Sequence, residues 1–130
     1  MRTNIIETYQ ETVNQCFSMT LEGIFGAAVK EQLLQLLEQN GIPRSEIGAR
    51  FDDVVRVLTD VFGTSSRLLI YRTVVNLYEE YSVRPNFGFH DPLRDQLLFL
   101  RERVLADIMK PRHLTSIDDS IYISGPRSIG

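Results

Sequence analysis

The sequence predicts an all-α fold, a compact bundle of five to six helices built around two helix–Gly–helix units, with an irregular C-terminal tail. Three observations lead there. Apolar residues recur at steps of three and four along several separate stretches, which gathers them on one side of a helix each time. The stretch "LEGIFGAAVK" at 21–30 returns as "LTDVFGTSSR" at 58–67, repeating Leu, a β-branched residue, Phe-Gly, two small residues and a cation. The breaks between stretches fall at glycine and proline, where helices stop.

The first segment sets Ile5, Tyr9, Val13, Cys16 and Phe17 on one stripe of a helix over about residues 4–17. "SMT" then predicts an interruption, with Thr20 as the N-cap of a short turn from Leu21 to Phe25. Gly26 closes that turn, because glycine enters the left-handed region without a Cβ penalty, and the Phe25 ring before it is expected in the core. A helix over 27–39 follows with Val29, Leu33, Leu36 and Leu37 inward, ended by Asn40-Gly41, and "IPRSEIGAR" reads as a loop stiffened by Pro43.

The cycle then repeats. Phe51, Val54, Val55, Leu58, Val61 and Phe62 keep helical spacing, with Asp52 and Asp53 at the positive end of the helix dipole. Gly63 breaks this helix behind Phe62, whose ring is again expected to be buried, and Thr64, Ser65 or Ser66 caps the next helix to about Tyr81. The inward set of that helix is Ile70, Val74, Leu77, Tyr78 and Tyr81. The echoes are 37 residues apart, from Phe25 to Phe62, a period suited to a helix–turn–helix unit. Two units are too few for a solenoid, so they are expected to pack on each other about a pseudo-twofold axis.

After the linker "SVRPNFGFHDP", Asp91 and Pro92 read as N-cap and first-turn proline of a long helix over 91–110. Its stripe of Leu93, Leu97, Leu100, Val104 and Ile108, broadened by Leu98, Leu105 and Met109, is either a lid on the bundle or a dimer seam, and lid is favoured. Leu97, Leu100 and Val104 are the candidate interaction residues there. Residues 1–110 thus read as one helical domain and 111–130 as the tail, where Ile121, Tyr122 and Ile123 in "SIYIS" are a further candidate, a strand that could join a partner's sheet edge.

Composition narrows function. The 130 residues suit one core, and folding would bury somewhat under ~70% of the accessible surface. A net charge of −3, with 17 acidic and 14 basic residues scattered along the chain, lacks the concentrated basic face that nucleic acid or an anionic membrane requires. Twelve of the 14 cations are arginine, which suits bidentate ion pairs on helix faces. No apolar run approaches the ~20 residues of a membrane span, and the N-terminus turns polar too early for a signal peptide. Cys16 is the lone cysteine, so no intramolecular disulfide forms and a reducing cytoplasm fits.

Nothing reaches a catalytic or cofactor signature. His90 and His113 lie apart without ligand partners at helical spacing, so no metal is expected. Glu79 and Glu80 are adjacent and point in different directions, while "GPRSIG" lacks the strand, lysine and helix of a phosphate loop. Cys16 has no imidazole in reach along the sequence and reads as a buried thiol. The helices meeting at Gly63 superficially pass for a helix-turn-helix, yet Arg67, Arg72, Thr73 and Asn76 give way to Glu79 and Glu80.

The run from Thr20 to Val83 carries Leu21-Glu22, the Gly26 break, Leu33, Leu36-Leu37-Glu38, Phe51-Asp52, Val61-Phe62-Gly63 and Leu77-Tyr78-Glu79. In these features it resembles the Nitrosopumilus output domain family, small all-helical modules of archaeal and some bacterial proteins. The resemblance covers about half the chain and implies an output role in signalling, with no catalytic residues to carry over. The N-terminal helix, the helix from Asp91 and the tail are additions, and the chain is expected to carry no receiver or sensor domain. The expectation is a non-catalytic, cytoplasmic regulatory module that binds another protein or itself as a homodimer, with a DNA-associated regulator as the alternative. No cofactor is expected.

Overall fold

The computed structural model describes residues 2–112, and they are helical throughout apart from turns and connections. Helix α1 runs unbroken over Arg2–Phe25. The interruption expected at Ser18–Thr20 does not occur. Thr20 caps nothing: its hydroxyl donates to the Cys16 carbonyl one turn back at 2.7 Å, as Thr12 does to Thr8. A hydroxyl satisfied in this way costs the helix little. The stripe meanwhile continues from Phe17 to Leu21, both fully buried, so packing holds the segment helical. The expectation of five to six helices was too fine here, because two expected N-terminal elements are one.

Gly26, at φ 90°, ends α1, and its carbonyl accepts the first bond of helix α2, Ala27–Gln39. Leu33, Leu34 and Leu37 are its buried residues, while Val29 is exposed because the first turn of α2 lies beyond the core. Asn40 and Gly41, at φ 84°, close α2, with the Ile42 amide donating to the Leu37 carbonyl.

The connection that follows is anchored on α1. Ile42 and Ile47 are buried on either side of a 3-10 turn at Arg44–Glu46. Asn14 grips this loop at two points, donating to the Ser45 carbonyl at 3.2 Å and accepting the Gly48 amide hydrogen at 2.5 Å. Gly48 lies so close to α1 that a Cβ there would stand 2.1 Å from the Gln10 carbonyl oxygen.

Helix α3, Phe51–Phe62, buries Phe51, Val54 and Leu58 and has Asp52 and Asp53 in its first turn. Gly63, at φ 62°, ends it, and a 3-10 turn at Gly63–Ser65 leads into helix α4, Ser66–Glu80. None of Thr64, Ser65 and Ser66 caps α4 through its side chain; Ser66 donates to the Gly63 carbonyl at 2.8 Å and meets the Thr59 hydroxyl at 3.3 Å. The inward set expected for α4 is buried as read, joined by Leu69 and Thr73.

Helix α5 spans Leu93–Asp107. Asp91 does not cap it; its carboxylate accepts the Gly88 amide hydrogen at 2.7 Å and closes the preceding loop. The helix stops short of Lys110 because Ile108 takes a left-handed conformation, φ 52°, which turns its side chain into solvent at 64% exposure.

Helices α1 and α4 form the centre. They run antiparallel: Asn76 donates to Thr20 at 3.0 Å, and Tyr81 donates to Thr12 at 3.4 Å. Helix α2 packs on α1, α3 on α4, and α5 lies across both central helices. Since α3 and α4 form a tight hairpin, α3 runs parallel to α1, and the edge-on Phe17–Phe51 pair, 5.8 Å between ring centres, sets their relative height. Gly26 and Gly63 therefore turn the chain at the same end of the bundle.

Candidate functional site

The phenyl rings at the two glycine breaks are where structure and expectation part. Both glycines end helices as read, but Phe25 and Phe62 are 43% and 37% exposed and anchor nothing in the core. Each lies in the last turn of a helix whose earlier turns are buried. On α1 Phe17 and Leu21 are in the core, and Ile24 and Phe25 are exposed. On α3 Phe51, Val54 and Leu58 are buried, and Val61 and Phe62 are exposed. Val29 and Leu68 add further exposed side chains on the helices that leave the two corners.

The candidate residues on α5 are corrected in the opposite sense. Leu100 and Val104 are wholly buried and Leu97 half-buried, because α5 closes over α1 and α4. Leu100 and Val104 serve the chain's own core as a lid and are not at the surface for a seam, and Leu97 packs against that core with one side open. Two tyrosine hydroxyls fasten this lid: Tyr9 donates to the Leu97 carbonyl at 3.2 Å and Tyr78 to the Gln96 carbonyl at 2.6 Å. Burial raises both phenol pKa values. The exposed apolar residues of α5 are instead Leu98 and Phe99. Leu98, read as part of the inward stripe, sits one position too far round the helix to reach the core. Ile121, Tyr122, Ile123 and His113 lie outside the described residues.

A groove of about 950 Å³ opens between α3, the N-terminal half of α4 and the start of α5. Val55, Ile70, Val74, Leu93 and Leu97 give it an apolar floor. Its rim charges are already matched. Asp52 pairs with Arg94 at 3.2 Å across the mouth, and Asp53 accepts from Arg50 at 3.1 Å and Arg56 at 2.7 Å. These two guanidiniums, Arg50 the more, hold the Asp53 carboxyl below its usual range.

Arg67, the residue on which a DNA reading most depends, is committed to the loop before α5. It donates to the carbonyls of Phe89, at 2.7 Å, and Asp91, and its guanidinium lies 5.5 Å from the centre of the Phe89 ring. The same loop is packed by edge-on contacts of Phe87 with Tyr71 and Tyr78. His90 is exposed and lies edge-on to Phe89.

Cys16 is buried under the α1 stripe, and burial, helped by the Glu80 charge, pushes its thiol up to about 12. It stays a protonated, poorly nucleophilic thiol near neutral pH. Among the described residues no cluster of three or more His, Cys, Asp or Glu side chains is placed to hold a metal ion, and no helix is long and apolar enough to cross a membrane.

Sequence reasoning missed Ile24, Val61 and Leu68 as surface residues. The one signal available was the position of Ile24 and Val61 in the last turn of a helix, where the next helix has already turned away. No family model, curated protein or solved structure matches this chain.

Proposed function

We propose that this chain is a non-catalytic regulatory module that acts by binding another protein, with a role like that of a signalling output domain. The observation that carries the reading is the pair of glycine corners at one end of the bundle. They leave Ile24, Phe25, Val61 and Phe62 in solvent at 37–51% exposure. A large apolar side chain alone is ordinary on a protein surface, but an exposed pair of a β-branched and an aromatic residue at each corner suits an interaction site. The organisation around two helix–Gly–helix units belongs to this reading, since the repeat puts the same exposed motif at that end twice. The commitment of Arg67 to its own loop favours a protein partner over DNA. A reducing cytoplasm suits the free Cys16.

The test is site-specific photocrosslinking in the native cell. With p-benzoyl-phenylalanine at position 62, discrete protein adducts are expected on illumination, and with the same group at position 72, on the exposed face of α4, none. A chain that forms no adduct from position 62 is not an interaction module of this kind.

A further inference from the structure

We propose that the gap between α3 and α5 binds a linear aliphatic carboxylate, with its head group on Arg101 and Arg94 and its chain along the apolar floor. This site goes beyond the interaction reading above and does not depend on it. Helices α3 and α5 both pack on neighbouring helices but hardly touch each other. The pair of Asp52 and Arg94, at 3.2 Å, spans the gap between them. The groove of about 950 Å³ lies towards α4, and a second cavity of about 440 Å³ lies towards α1. Phe51, Asp52, Arg94 and Leu97 line both, so the two cavities adjoin at the ion pair.

The second cavity supplies the charge. Tyr9 and Val13 of α1 and Leu97 and Leu98 of α5 line it together with Arg50, Arg94 and Arg101. Arg50 shares Asp53 with Arg56 and also pairs with Glu46, while Arg94 has Asp52. Arg67, which lines only the larger groove, is committed to main-chain carbonyls. Arg101 has neither kind of partner: among the described residues it makes no ion pair and no hydrogen bond. Arg50, Arg56, Arg94 and Arg101 against Glu46, Asp52 and Asp53 thus leave a single positive charge, in a chain whose net charge is −3. One negative charge completes the set, and a carboxylate matches the guanidinium fork. The Asp52–Arg94 pair is 61% and 80% exposed, so Arg94 turns towards a ligand at little cost.

The larger groove supplies the apolar body. From Arg101 the lining continues through Leu97 to Leu93, Val55, Ile70 and Val74. Leu93, Leu97 and Arg101 follow one another at i, i+4 spacing, so they lie along one side of α5. Position 93 is about 12 Å along the helix from position 101, the length of roughly ten carbons of extended chain. The open side of Leu97 is what such a chain would cover. A bare inorganic anion would leave this floor wet, and a cation would meet Arg101. The lining therefore selects an apolar chain with one acid at its end.

The experiment titrates the full chain with sodium decanoate by calorimetry and follows methyl resonances by NMR. A dissociation constant on the order of 100 µM is expected for decanoate. Octanoate, two methylenes shorter, should bind roughly 10-fold more weakly. 1-Octanol should bind more weakly than octanoate, and added salt should weaken the acids but not the alcohol. Methyl signals of Val55, Ile70 and Leu97 should move on titration while those of Leu33 and Leu34, on α2, stay. Arg101→Gln should cost decanoate at least ~5-fold in affinity and leave octanol unchanged, with Arg101→Lys between the two. No binding of decanoate at about 5 mM, roughly 50 times the expected constant, overturns the proposal. Equal affinity for octanol and octanoate overturns it too, as does an Arg101→Gln chain that binds decanoate undiminished. Methyl shifts confined to residues outside the two cavities do the same. Should Arg101→Gln lose helicity, the wild-type methyl map and the acid-against-alcohol comparison decide. Photocrosslinked adducts from position 62 with no decanoate binding would sink this proposal and leave the interaction reading standing.

Discussion

The hydroxyl of Tyr78 on α4 donates to the main-chain carbonyl of Gln96 in the body of α5, at 2.6 Å. The adjacent carbonyl, Leu97, accepts from Tyr9 of α1 at 3.2 Å. Two tyrosines from the two central helices thus hold neighbouring peptide units of the lid. Each phenol is buried enough that a lost bond would leave little water to replace it.

Tyr78→Phe should therefore destabilise the chain by about 1 kcal/mol, and Tyr9→Phe, with its longer bond, by somewhat less. The double variant should lose α5 docking before the rest of the bundle unfolds, read as early hydrogen exchange of amides in 97–104 under native conditions. Unchanged exchange there would show that leucine packing alone holds the lid.

Alkaline pH should weaken the fold through the same phenols. Burial, foremost, pushes Tyr81 up to about 12 and raises Tyr9 and Tyr78 as well. Below pH ~10 folded and unfolded chains both keep these protons, so the stabilisation is complete. Between about 10 and 12 the unfolded chain releases protons that the folded chain retains, and the free energy of unfolding falls as pH rises. The melting temperature should drop over that window, with tyrosinate absorbance rising at the unfolding transition, and Tyr81→Phe should make the drop shallower.

Glycines divide by what lies beside them. Gly48→Ala would drive a Cβ into the Gln10 main chain, which cannot yield without moving α1, so a loss of more than ~2 kcal/mol is expected. Gly23 lies inside α1 with open space around its Cβ position, and Gly23→Ala should stabilise by about 0.5–1 kcal/mol. Urea unfolding of both variants checks the contrast. Equal effects would mean that the loop is not seated on α1 as described.

Ile108 is a β-branched residue held at φ 52°, a conformation that costs an L-residue roughly 1–2 kcal/mol. Ile108→Gly should relieve most of that strain against a smaller entropic loss in the unfolded chain, for a net gain of up to ~1 kcal/mol. Loss of stability on this substitution would show that the Ile108 side chain contributes more than its 64% exposure allows.

The sequence carried the helical segments well, because a step of three and four is a property of one helix and needs no neighbour to be read. It carried burial less well. Phe17 and Phe25 lie about two turns apart on α1, one enclosed and the other 43% exposed, and the spacing of apolar residues alone does not tell them apart. Phe51 and Phe62 on α3 differ likewise. The grip of Asn14 on Ser45 and Gly48 was out of reach, since a polar residue on a helix and a glycine in a loop announce nothing about each other across 34 residues. Ser18-Met19-Thr20 misled in the other direction: the Thr20 hydroxyl, with cap chemistry, found a carbonyl within its own helix.

The tie between the Arg112 amide and the Glu80 carbonyl, 2.6 Å, fixes where the described chain departs from the bundle. It leaves beside the C-terminal end of α4, about 20 Å along that helix from the glycine corners. A fluorophore, affinity tag or immobilising tether attached to the side chain at position 112 would stand at the far pole. The protein mounted on a sensor surface in that orientation would point its two aromatic corners away from the support, ready to be titrated with whatever is flowed past.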